Sequence, residues 1–156
     1  VLVYSAVYVV MTLGAFLCIM RMRDADGRPV ESLASLSGLS QTRPLLALAI
    51  AMFMFSLAGI PPLFGFWPKL MVFNAAVGAG LQWLALAAAA LTVIGAYYYL
   101  KVIKIMYFDA PAEPFAPARG KAETVLIAAC ALVISPPGYL LINPLTSAAA
   151  DAASVF

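Results

Sequence analysis

The chain has 156 residues, 65% of them hydrophobic and 10% charged, with nine Lys/Arg against seven Asp/Glu. Soluble domains carry about 25% charged residues, so this little polar surface cannot cover this much apolar volume in water, and composition places most of the chain in a bilayer. A net charge of +2 with no basic face argues against a nucleic-acid partner, and two distant cysteines without any histidine leave no metal-ligand spacing.

A helix needs about 20 apolar residues to cross a bilayer. Residues 1–20 are such a run. They lack a basic leader, which fits a signal peptide poorly. The chain opens at Val1 without an initiator Met, so the expectation is the C-terminal part of a longer protein. Residues 21–43 read as a polar loop with seven charges and Gly27, Pro29 and Gly38. Pro44 suits a first helical turn, with Thr42 as the expected cap. From 44 to 100 there is one charge, Lys69, and enough apolar sequence for two crossings. Gly78-Ala79-Gly80 divides them into predicted spans 44–78 and 82–107. The second closes on Tyr97, Tyr98, Tyr99, Lys101, Lys104 and Tyr107, an aromatic and cationic interface band. Residues 108–122 form another polar loop, with Pro111, Pro114 and Pro117. A fourth span, 123–145, meets Ser135-Pro136-Pro137-Gly138, which kinks or ends it. The Ala-rich tail, 146–156, belongs at the surface. Cys18 and Cys130 read as small buried or lipid-facing residues.

Four crossings put both polar loops and the end of the third span on one side. Eight of the nine Lys/Arg residues lie on or beside that side. The positive-inside rule makes it cytoplasmic and the C-terminus periplasmic.

The span 44–78 is the informative one. As one straight helix it would be about 50 Å long, too long for a ~30 Å hydrocarbon core. Gly59-Ile60-Pro61-Pro62 interrupts it. Pro61 and Pro62 have no N–H, so the carbonyls of Leu57 and Ala58 lose their helical partners. In lipid such carbonyls are tolerated only where other groups satisfy them. The break reads either as a structural kink packed on other helices or as the discontinuous helix of an ion-translocating protein.

Lys69 follows seven residues after Pro62, among Phe64, Phe66, Trp67, Leu70, Met71 and Phe73. A charged lysine facing lipid at mid-membrane costs at least ~2.5–3.5 kcal/mol on insertion scales. Desolvation disfavours its charged form, so between hydrated and apolar surroundings it can load and release a proton. The other readings are a snorkelling lysine or a fixed salt bridge. Pro68 suits the start of a second half-helix, which puts Lys69 in its first turn. Lys101 and Lys104 read first as interface anchors and second as groups feeding protons from the cytoplasm. Of the three consecutive tyrosines, about 100° apart on a helix, one faces such a path at most; Tyr98 is the candidate. Ser56 and Thr92 either bridge freed carbonyls, bind water or, as isolated hydroxyls more often do, bond to their own helix. Asp24, Asp26, Glu31, Asp109, Glu113 and Glu123 fall in loops or helix ends and read as solvated.

The run from Phe55 to Lys69, FSLAGIPPLFGFWPK, resembles the broken-helix motif of the antiporter-like membrane subunits of respiratory complex I. The nearer match within that family is the subunit N branch, which includes mitochondrial subunit 2. Ala96–Asp109, Leu13-Gly14-Ala15-Phe16 and Leu36-Ser37-Gly38-Leu39 are similar to the same branch, so the resemblance spans most of residues 1–110. It implies an all-α integral membrane fold holding the last four of fourteen helices, one of them broken at Gly59, Pro61 and Pro62. It implies that Lys69 serves the periplasmic half of a proton path. It further implies a bacterial inner membrane, partners among the other membrane subunits, and no cofactor in this chain, flavin and iron–sulfur clusters lying in partner subunits. The family often has a small residue at the place of Phe64 and a non-proline at that of Pro68. A subunit of a multi-subunit cation/proton antiporter, and a structural membrane subunit with Lys69 as a fixed ion pair, are the two other readings.

Overall fold

The computed structural model describes residues 2–23, 26–29, 32–112, 115 and 120–153. Asp24, Glu31, Glu113, Pro114, Pro117 and residues 154–156 of the expected tail lie outside the described residues. Every element longer than a single bridge is helical among them. This is the physical demand of lipid, where a helix satisfies its own backbone.

Nineteen proline-free, mostly apolar residues make α1, Leu2–Met20. Val7, Met11, Ala15 and Cys18 are buried along one stripe of it. That stripe packs on α3, Pro44–Ala58, and on α6, Lys121–Ile134. Gly14 lies flush against the Phe53 ring, where any Cβ would collide. On α3, Ala47, Ile50, Ala51, Phe53 and Met54 are buried, so this helix is the centre of the bundle. α4, Phe66–Gly78, follows after a seven-residue interruption, and α5, Gln82–Phe108, runs back along α3.

Leu2–Met20 and Gln82–Phe108 are each long and apolar enough to cross a membrane. α3 and α4, at 15 and 13 residues, would reach only about 22 and 20 Å apiece. α6 continues through a 3-10 turn, Pro136–Leu141, into α7, Ile142–Ala153, and the pair passes as a span only when taken together across a 69° bend. Residues 142–153 are thus helical, so the expected tail from 146 begins inside α7, which buries none of its residues. α5 buries only Ile103 and Met106 and leaves Trp83, Leu84, Leu91 and Val93 exposed. Apolar surface of that extent is what a bilayer or further helices cover.

The segment 21–43 is more folded than its charge suggests. It contains a 3-10 turn, Leu33–Leu36, capped where the Ser32 hydroxyl accepts the Ala34 N–H at 3.2 Å. A short α2, Leu39–Thr42, follows. Met22, Leu36 and Leu39 are buried, and the Gly38 N–H donates to the Ile105 carbonyl of α5 at 3.2 Å. Thr42, the expected cap of α3, instead ends α2, and its hydroxyl donates to the Leu39 carbonyl at 3.4 Å. Arg43 holds the cap position without a side-chain capping bond, its guanidinium donating instead to the Phe115 carbonyl at 3.2 Å, ahead of Pro44 at the first helical position.

Candidate functional site

α3 ends because Pro61 and Pro62 cannot donate, and the way it ends builds the site. Gly59 adopts the left-handed conformation, φ 82° and ψ 40°. Its N–H donates to the Ser56 carbonyl at 3.0 Å, and the Ile60 N–H donates to the Phe55 carbonyl at 3.0 Å. This is the Schellman pattern, which satisfies two of the terminal carbonyls. The Leu57 carbonyl, whose helical donor would be residue 61, receives the Lys69 ammonium at 2.6 Å. A short charge-assisted bond therefore closes the gap that the proline opened.

Lys69 is the fourth residue of α4, and Pro68 precedes it within the first turn, where no N–H is needed. The side chain is half-buried. It reaches back from the N-terminal end of α4 to the C-terminal end of α3. The two helix ends act on it in opposite senses: the carbonyls of α3 favour a cation, and the N-terminus of α4 opposes one. A neutral carbonyl partner also leaves the amine able to exist with or without its extra proton. Arrangements of this kind can hold a proton and give it up, which a carboxylate ion pair would resist.

The glycine at the break serves this bond. A Cβ on Gly59 would lie 3.0 Å from Lys69 Cδ and 3.3 Å from Nζ. Gly59→Ala forces an L side chain into the left-handed region, at about 1–2 kcal/mol, and crowds the Lys69 side chain where it bonds to Leu57. The expected result is a lowered midpoint of thermal dissociation in the full-length protein. An unchanged midpoint would show that the turn does not depend on this residue.

A second fastening holds the far side of the break. Ser56 is 0% exposed. Its hydroxyl donates to Met11 Sδ of α1 at 3.0 Å and accepts the Gly65 N–H at 3.1 Å. The expectation that Ser56 would serve a freed carbonyl or its own helix is thus replaced by a bond across to the start of α4. Thr92 bonds to its own helix, its hydroxyl donating to the Ala88 carbonyl at 2.9 Å. The Phe64 ring is buried, and the Phe64 N–H donates to the Ile134 carbonyl of α6 at 2.8 Å.

Lys101, Lys104 and Tyr98 are exposed on α5, on the side away from its buried Ile103 and Met106. Tyr98 packs edge-on against Tyr97 at 5.5 Å. Lys104 lies 3.5 Å from Asp109, an exposed pair of small energetic weight. Among the described residues no hydrogen bond or ion pair joins these three to Lys69. Nor do the described residues group three or more His, Cys, Asp or Glu side chains as a metal site would require. Cys18 and Cys130 are free and buried. A cavity of about 630 Å³ opens between α3 and α6, lined by Arg21, Arg43, Pro44 and Leu45 among others, at the opposite end of α3 from Leu57.

The residues not anticipated from sequence are Leu57 as the lysine's partner, Met11, Gly65 and Tyr139, whose hydroxyl donates to the Leu63 carbonyl at 3.2 Å. Leu57 was identifiable as a freed carbonyl, without its donor. Met11 and Tyr139 carry no local signal, since their contacts span 45 and 76 residues of sequence.

Residues 1–95 match the family described as NADH:quinone oxidoreductase/Mrp antiporter, transmembrane. The chain is 61% identical over 153 residues to NADH-quinone oxidoreductase subunit N of Rhizorhabdus wittichii, covering 97% of this chain and 31% of that protein. It is 54% identical over 156 residues to the subunit N of Sphingopyxis alaskensis, covering 99% of this chain and 33% of the relative. The chain therefore spans about a third of the length of the curated relatives it matches. A chain in the structure of respiratory complex I from Thermus thermophilus with bound Aureothin superposes with a TM-score of 0.73 at 32% identity, covering 85% of this chain and 30% of that one.

Proposed function

The chain belongs to the NADH:quinone oxidoreductase/Mrp antiporter transmembrane family, and from that membership and the lysine seated at the helix break we propose that it acts in proton translocation as part of subunit N of a bacterial complex I. The relatives that match nearly its whole length carry the subunit N name, which supports this reading over a cation/proton antiporter. Its residues would supply the last four of the full subunit's fourteen helices, with α3 and α4 as one broken crossing and α6 with α7 as a bent one. Residues 21–43 and 108–122 then face the cytoplasm and the C-terminus the periplasm, in the inner membrane. Electron transfer, flavin and iron–sulfur clusters belong to partner subunits, and the neighbours of this chain are other membrane subunits and lipid.

In this proposal Lys69 is the relay group. Its ammonium, held on the Leu57 carbonyl, releases a proton toward the periplasmic half of the membrane. The neutral amine then accepts the next proton. Lys101, Lys104 and Tyr98 are proposed for the cytoplasmic approach, on the face of α5 that the rest of the subunit would cover. The observation that carries the reading is the 2.6 Å bond from Lys69 to a carbonyl freed by Pro61. It sets an ionisable group at the discontinuity, with no ion pair to an acid among the described residues.

The test is Lys69→Ala in the full-length subunit within its assembled complex. NADH-driven quinone reduction and proton pumping are measured in the same vesicles. Pumping is expected to fall to a small fraction of the native level, with or without slower turnover. Native pumping with native turnover would end the assignment and leave the break as a structural element.

A further inference from the structure

The chain has two proline breaks, 74 residues apart in sequence as counted from Pro62 to Pro136, and they are bonded to each other. At the second, Pro136 and Pro137 free the carbonyls of Leu132 and Val133. The Ser135 hydroxyl takes the first at 2.7 Å. The backbone tightens to 3-10 geometry, so that the Gly138 N–H donates to the Ser135 carbonyl at 2.8 Å instead of to Ile134. That leaves the Ile134 carbonyl free, and it receives the Phe64 N–H from the first break at 2.8 Å. One residue earlier, the Leu63 carbonyl accepts two donors: the Phe66 N–H at 3.1 Å, which opens α4, and the Tyr139 hydroxyl at 3.2 Å. The Tyr139 ring lies against the Phe64 ring, with centroids 5.5 Å apart.

We infer that the second break is a positioning element for the lysine, acting through the Tyr139 hydroxyl on the Leu63 carbonyl. This deepens the proposed function and rests on it for its meaning in proton transfer. Lys69 is three residues beyond Phe66, in the first turn of α4. The start of that turn is set by Leu63 and Phe64, and both are held from the α6–α7 bend. A hinge movement at Ser135–Tyr139 would therefore shift the start of α4 against the end of α3, the two ends that the Lys69–Leu57 bond joins. Tyr139 is a positioning residue, since its hydroxyl bonds to Leu63 and its ring lies on Phe64, and among the described residues no hydrogen bond joins it to Lys69.

Tyr139→Phe in the full-length subunit of the assembled complex is the test. It keeps the ring on Phe64, and Leu63 retains the Phe66 N–H, so the fold keeps its packing. The complex is treated with limiting acetic anhydride, and acetylation of each lysine is followed by mass spectrometry. Lys69 is expected to react about three- to tenfold faster, the range set by losing one hydrogen bond. Exposed Lys101 and Lys104 are expected to react as in the native protein. Tyr139→Ala should raise the Lys69 rate at least as much. An unchanged Lys69 rate in Tyr139→Phe would overturn the inference. So would a rise with Ala but none with Phe, which would assign the effect to ring packing. The labelling is read without pumping: if Lys69→Ala pumped normally, the relay would fall while a raised labelling rate would still establish the positioning.

Discussion

Gly65→Ala is expected to prevent the subunit from assembling. Gly65 has ordinary helical dihedrals, φ −62° and ψ −18°, so the effect is one of space alone. An added Cβ would collide with the Ser56 carbonyl oxygen and stand 2.7 Å from the Ser56 hydroxyl and 2.8 Å from Met11 Sδ. The obstacle is mostly backbone and buried side chain, and it cannot rotate away. To make room, α4 must retreat from α3, which lengthens the Gly65–Ser56 bond and takes from the Gly65 N–H its buried acceptor. Overpacking costs about 1–3 kcal/mol and an unsatisfied buried polar group another ~1–3 kcal/mol. The sum is a large part of what holds a domain folded. The measurement is the amount of complex containing the variant recovered from membranes in mild detergent. Recovery equal to the native level would show that the two half-helices do not need this close approach.

That prediction also marks how far the sequence could be read. An all-helical membrane chain was legible because 65% apolar residues and four long uncharged stretches leave lipid no other solution. The two proline pairs announced where carbonyls would be freed, because a missing N–H is a property of the residue itself. What those carbonyls meet was not legible. Lys69 stood out as the one charge between residues 44 and 100, yet nothing local says that it folds back 12 residues to Leu57. Ser56, Met11 and Gly65 meet because α1, α3 and α4 pack side by side, which is a tertiary outcome. Residues 21–43 were read as a loop from their charges. Leu33, Leu36 and Leu39, spaced three apart, held the sign of short helices within it, and Leu36 and Leu39 are buried. Thr42 looked like a cap because it precedes Pro44, but a four-residue helix ends on it.

The Lys69–Leu57 bond ties the two halves of the break, so two roles for the lysine need separating. A cation is enough to satisfy the carbonyl. A relay needs a group that can also be neutral. Arginine separates them, because its guanidinium stays protonated under all working conditions while its donors still reach a carbonyl.

The most direct measurement is therefore proton pumping per NADH oxidised by Lys69→Arg, in assembled complex whose recovery matches the native level. The account predicts that assembly survives and pumping is lost to the same extent as in Lys69→Ala. Native pumping with arginine at this position would contradict it: the charge alone would then suffice, and Lys69 would be a fastening of the broken helix that carries no proton.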